Sequence, residues 1–218
     1  MDAAHAPVAD PPPAPPPRRG PVAVALVLAA LAVGAALAAR PFEPAGGEAP
    51  GGEPLPFLGT VPPFSFTERS GGTVTDADLL GRTWVADFIF TNCAGPCPDM
   101  SRRMAGLHAA IAPGERAACV SFTVDPDRDS LEVLRVYADR HRASPDRWLF
   151  LRGPEEEVHA LSYRGFRLGD EKDPLAHSVR FVLVDRRGVV RGFYRGTDEE
   201  HVSRLLRDFR RLIDADAP

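Results

Sequence analysis

The chain is short of positive charge in general and of lysine in particular: 26 basic residues stand against 30 acidic ones, and only Lys172 among the 26 is a lysine. A face that binds phosphates needs a clear excess of Lys and Arg, so a net charge of −4 argues against nucleic acid as a partner. The near-absence of lysine beside abundant Ala and Pro is a compositional bias and carries no chemistry. Cysteine is scarce too, with Cys93, Cys97 and Cys119 the whole complement of a 218-residue chain. With 44% hydrophobic and 26% charged residues, the length suffices for one full-sized core with appendages.

Only one long run lacks charge. Residues 1–20 are dominated by Pro and Ala and cannot bury enough apolar surface to offset the entropy of ordering, which predicts a disordered tail. "PVAVALVLAALAVGAALAA" (21–39) follows, and as a helix it would cover about 28 Å, close to the apolar thickness of a bilayer. Arg18 and Arg19 precede it, whereas Glu43, Glu48 and Glu53 follow Arg40, so the basic excess predicts a cytoplasmic tail and a single-pass membrane anchor. A cleaved signal peptide ending near Ala36-Leu37-Ala38 is the alternative. Both readings export the remainder to the extracytoplasmic side. Residues 40–62, rich in Gly, Pro and Glu, predict a flexible linker, and 63–218 the globular domain.

Within that domain strands and helices alternate. "PFSFTE" (63–68) and "GTVTD" (72–76) predict a hairpin, and "DADLLG" a short helical turn. "TWVADFIF" (83–90), "AACVSFTV" (117–124) and "HSVRFVLVD" (177–185) predict buried strands; 147–151 and 189–194 predict two more. Helices are expected over 98–111, 130–141 with Ser130 as N-cap, 155–163 and 198–213. Two helical crossovers, then a hairpin and a final helix, define an α/β fold: a thioredoxin-like mixed sheet flanked by helices.

Cys93 and Cys97 then fall where a buried strand passes into a helix, the end of an open α/β sheet that carries sites. Unpaired N–H groups at the helix start favour thiolate over thiol, and the expectation is that Cys97 in particular has a lowered pKa. A purely structural disulfide is disfavoured, because so short a loop removes little entropy from the unfolded chain. Cys119, in mid-strand, is expected to be inert core. The C-x-x-x-C spacing is one residue longer than the usual C-x-x-C redox motif, which opens room for an ion between the sulfurs while leaving a disulfide open. A dithiolate needs a third ligand. His5 lies in the tail, and His108, His141, His159 and His201 sit in helical patterns with structural roles; His177, at a loop-to-strand junction, is the best candidate.

"FIFTNCAGPCPDM" (88–100), "FTVDPDRDS" (122–130) and "HSVRFVLVDRRG" (177–188) together resemble the Sco/SenC family of membrane-anchored, thioredoxin-fold copper proteins that help assemble the CuA centre of cytochrome c oxidase. The likeness runs from about Pro63 to Ile213. It implies that Cys93 and Cys97 bind copper or form a reversible disulfide as a redox-active pair, and that His177 is the third copper ligand. It also implies a copper-receiving oxidase subunit or other cuproprotein as partner. Asp125 and Pro126 match a V-D-P turn, for which a fold-shaping role is expected. The stretch "EKDPLA" before His177 departs from the aromatic and acidic residues usual in the family.

Chemistry agrees with this. Two soft thiolates favour Cu(I), and an added imidazole also suits Cu(II). Zinc on Cys₂His is the competing metal, although a structural zinc site normally closes with a fourth protein ligand. Met100 and Met104 offer thioethers, but their helical spacing predicts core packing. Three functions remain: a copper metallochaperone, a thiol–disulfide oxidoreductase that reduces a partner's cysteines before metallation, and a thiol peroxidase or redox sensor, for which the proline-threonine approach to the Cys that peroxide chemistry wants is missing. Copper needs His177 and disulfide exchange does not, so the chaperone is the favoured reading.

Overall fold

A computed structural model describes residues 54–168 and 179–215. The predicted tail, the predicted anchor at 21–39 and His177 lie outside the described residues. Among the described residues no helix is long and apolar enough to cross a membrane.

Seven strands form one sheet in the order β2-β1-β5-β4-β3-β6-β7. They are β1 (Ser65–Glu68), β2 (Thr73–Thr75), β3 (Thr83–Ile89), β4 (Ala117–Thr123), β5 (Trp148–Arg152), β6 (Arg180–Val184) and β7 (Val190–Arg195). The helices are α1 (Cys97–Ala109), α2 (Leu131–Arg140), α3 (Glu155–Ala160) and α4 (Glu199–Asp214). β3, β4 and β5 run parallel, joined by α1 and α2, while β1, β6 and β7 enter antiparallel. β3 and β4 are buried along their whole length, which is why both read as apolar runs without alternation.

Side chains alternate across the sheet and build two apolar layers. Val85, Ile89 and Cys119 join Met100, Met104, Leu107, Leu134 and Phe209 on one side. Trp84, Phe88 and Phe122 join Phe64, Phe66, Val158 and Phe166 on the other. Asp87, between Val85 and Ile89 in this alternation, belongs to the α1 layer and is fully buried.

Local chemistry sets the helix starts. Ser130 accepts the Val133 N–H at 3.3 Å and caps α2 as expected, and Asp198 accepts the Glu200 and His201 N–H groups at the start of α4. The predicted helix over 155–163 departs from expectation: after Ala160 it widens into a π-helical turn, Leu161–Gly165, closed by the Phe166 N–H on Leu161 O at 2.9 Å. This turn delivers Phe166 into the core against Trp84 and Phe88. It also requires glycine at 165, where a Cβ would lie 2.8 Å from Pro62 Cγ.

Of the segment predicted as linker, 54–62 is described, and it is held to the sheet. Leu58 N–H bonds Val190 O at 3.0 Å, Val190 N–H bonds Gly59 O at 2.9 Å, and Val61 N–H bonds Gly188 O at 2.9 Å. Arg191, ion-paired to Asp185 at 2.8 Å, donates to Leu55 O at 3.1 Å. These backbone bonds depend on β7 being an unpaired edge, which the Pro/Gly composition of 54–62 does not reveal.

Candidate metal and thiol site

The site begins where β3 runs out of partners. Ile89 pairs with Thr123, and the Val124 N–H still reaches Ile89 O at 2.8 Å. Beyond it the chain turns through Thr91 and Asn92 to Cys93, whose N–H bonds Phe90 O at 3.3 Å. Cys97 opens α1, with Pro98 in the first turn, where its missing N–H costs nothing. Ser101 Oγ, one turn on, lies 2.7 Å from Tyr137 Oη and locks α1 to α2.

The two thiols differ. Cys93 is half-buried and Cys97 buried, and both are free. Burial pushes the Cys93 thiol up, but hydrogen bonds from the Cys97 thiol and from the Cys97 and Gly95 N–H groups outweigh it, and the net shift is downward. The Gly95 N–H lies 3.3 Å from Cys93 Sγ. Cys97 is pushed up to about 12 by burial, by its hydrogen bond to Cys93 and by the charges of Cys93 and Asp87, although a backbone bond with Phe90 opposes this. The expectation that Cys97 is the activated thiol is therefore corrected. The amide at the helix start serves the cysteine of the preceding loop, while the side chain of the helix's own cysteine turns into the core.

Two acids that the sequence did not single out shape this corner. Burial raises the Asp87 carboxyl from 3.8 to about 7, against the downward pull of Ser121, its register partner on β4. No hydrogen bond of ordinary geometry reaches either Asp87 oxygen among the described residues. An acid inside an otherwise apolar strand was the available signal. Asp129, also buried, receives Thr91 Oγ1 at 2.6 Å and Thr123 Oγ1 at 2.5 Å. Asp125, matched to the V-D-P turn, shapes the loop: its carbonyl accepts the Arg128 and Asp129 N–H groups, and its carboxylate pairs with Arg128 at 2.8 Å.

Met100 and Met104 are core, and Cys119 is fully buried with its thiol raised by burial. The other described histidines are engaged elsewhere: His108 with Ser144 at 2.8 Å, His141 against the Tyr137 ring, His201 with the Arg195 N–H, His159 beside Glu155. Among the described residues no three His, Cys, Asp or Glu side chains gather to hold a metal. Cys93 and Cys97 thus form a two-thiol site in need of a further ligand. Val182 pairs with Ala86 and Val184 with Trp84, so the chain enters antiparallel β6, three residues after His177, at the end of the sheet from which the cysteines emerge.

A parallel three-strand core, a dithiol at the carboxyl end of β3 and a closing hairpin and helix define a thioredoxin-like dithiol protein. The SCO1/SenC family profile matches residues 56–214, and the chain belongs to that family. It is 32% identical over 154 residues to the SCO1 protein homolog of Bacillus subtilis (strain 168), covering 68% of this chain and 80% of that protein. The match spans 37% to 58% of the length of longer bacterial, plant and mammalian relatives. The solved structure of BsSco, described as carrying a disulfide switch and as a member of the Sco family of cytochrome c oxidase assembly proteins, is 31% identical with a TM-score of 0.63, covering 75% of this chain and 96% of that one. ScoI of Arabidopsis thaliana, solved with copper bound, shares the fold at 22% identity and a TM-score of 0.56, over 70% of this chain and 99% of that one.

Proposed function

We propose that this chain is a copper metallochaperone: Cys93, Cys97 and His177 hold one copper ion and release it by ligand exchange to the CuA centre during cytochrome c oxidase assembly. The observation that carries this is the pair of free thiols at the carboxyl end of β3, one half-buried and one buried, with no competing protein ligand described beside them. Copper here is cargo. Two soft sulfurs suit Cu(I), the half-buried one offers a path for a partner's ligand, and an imidazole completes a three-coordinate site. Copper-bound relatives and the family's place in oxidase assembly support the reading. The run at 21–39 would anchor the domain on the periplasmic side of the inner membrane, near a copper-receiving oxidase subunit.

Titrating the reduced full chain with Cu(I) against a competing chelator, beside His177→Ala, tests it. One tightly held ion, weakened at least tenfold by the substitution, is the expected result. Binding indifferent to His177 would overturn the three-ligand site.

The asymmetry of the thiols favours a second activity of the same pair. Cys93 as thiolate attacks a disulfide of the recipient, forming a mixed disulfide and releasing one recipient thiolate. Cys97 then loses its proton and attacks Cys93 Sγ, so the Cys93–Cys97 bond forms, the second recipient thiolate leaves and two electrons have passed to the recipient. A recipient reduced in this way is ready for metal, and BsSco's disulfide switch supports this use of the pair.

A further inference from the structure

We propose that Asp129 is a positioning residue for the Cys93/Cys97 pair, clamping the carboxyl end of β3 to that of β4 and so fixing the loop on which Cys93 stands. The β3–β4 ladder ends at Ile89 and Thr123, and past that point no described strand pairs with Thr91. Asp129, 1% exposed, takes over. Its Oδ1 accepts Thr91 Oγ1 at 2.6 Å, the Thr91 N–H lies 3.3 Å from Oδ1 and 3.1 Å from Oδ2, and Oδ2 accepts Thr123 Oγ1 at 2.5 Å. Bonds to a buried carboxylate are short and strong, and removing the acceptor leaves three donors unpaired.

The carboxylate is itself well held. The Asp129 N–H bonds Asp125 O at 2.9 Å, and the next residue, Ser130, caps α2. That helix therefore grips both cysteines. Through Tyr137 and Ser101 it holds α1, which opens with Cys97, and through Asp129 and Thr91 it holds the segment two residues before Cys93. Beyond the clamp, Cys93 has its own N–H bond to Phe90 O at 3.3 Å and the bonds to its sulfur. Releasing the clamp frees one thiol relative to the other, which lowers their effective concentration toward each other and weakens any product that needs both.

The inference rests on the redox reading of the pair, and its test separates the two. The full chain is equilibrated with reduced and oxidised dithiothreitol; as the Cys93 Sγ–Cys97 Sγ bond forms, two protons and two electrons pass to oxidised dithiothreitol, whose S–S bond breaks. Asp129→Ala should lower the equilibrium constant for this disulfide about tenfold, about 30 mV toward easier reduction. Thr91→Val, which deletes one donor and keeps the fold testable where Asp129→Ala does not fold, should give about threefold. Leu205→Ala, a buried truncation on α4, should destabilise the domain and leave the constant unchanged. Equal shifts in Leu205→Ala and Asp129→Ala would reduce Asp129 to general stability and overturn the proposal, as would unchanged constants in folded Asp129→Ala and Thr91→Val. A wild-type pair that stays reduced tells against the redox reading instead. The clamp then stands or falls on amide exchange at Thr91–Cys93, which Asp129→Ala must accelerate relative to Leu205→Ala.

Discussion

Replacing Asp87 by asparagine removes an ionisable group that sits in the core without a well-formed hydrogen bond among the described residues, and the consequence is a change in how stability depends on pH. The carboxyl is raised from 3.8 to about 7, chiefly by burial. Below pH 3.8 native and unfolded chains both carry its proton, and nothing is lost. Between pH 4 and 7 the unfolded chain releases the proton while the native chain keeps it, so the unfolded state gains and native stability falls. Above about 7 the native group ionises too and the loss levels off. A displacement of this size corresponds to about 4 kcal/mol at the plateau. Urea unfolding of wild type and Asp87→Asn at intervals from pH 4 to 8 reads it as a difference. That subtraction cancels the opposite trends from His108 and His141, which burial lowers, and from Glu115 and Asp198, whose hydrogen bonds lower them. The variant should gain on wild type by roughly 3 to 4 kcal/mol as pH rises from 4 to 7. Parallel curves for the two proteins would refute a buried, unpaired carboxyl at this position.

Other outcomes follow from single contacts. Iodoacetamide on the reduced protein at pH 7.5 should label Cys93 well ahead of Cys97 and Cys119, and equal labelling by peptide mapping would contradict the asymmetry of the pair. Met104→Ala should cost about 2–5 kcal/mol of unfolding free energy without changing the copper stoichiometry, because the thioether is core; lost copper would make it a ligand. Ser130→Ala should cost about 1 kcal/mol through loss of the α2 cap, measured by urea denaturation.

Much of the fold was legible because its central strands are buried on both faces and its helices on one. β3, β4 and β6 announce themselves as apolar runs, α1 and α4 by the spacing of Met100, Met104, Leu205 and Phe209. The dithiol was legible too, since Cys93 and Cys97 flank the junction of a buried strand with a helix, where free amides favour thiolate chemistry. Which thiol is activated was not. It depends on where the Cys97 and Gly95 N–H groups point, and that is decided by the path of a loop whose residues carry no periodic pattern. Asp125 drew attention over Asp129 for a similar reason: a turn motif marks where the chain bends, not which carboxylate the bend buries. The π-helical turn at Leu161–Gly165 and the attachment of 54–62 to β7 both arise from contacts between segments far apart in the chain, which local composition does not encode.

The segment along β7 changes the arithmetic of reach. On the proposal that 21–39 anchors the chain, a domain hung from Phe64, just ahead of the first strand, would leave everything upstream as leash. Leu55 is instead already fastened to Arg191, and Leu58 to Val190, so the leash ends some nine residues sooner. At ~3.3 Å per extended residue that withdraws about 30 Å from the radius the dithiol can sweep. Under the proposed anchoring, a recipient would come to the cysteines within a smaller shell, and a few residues inserted before Pro54 would widen that shell without touching the domain.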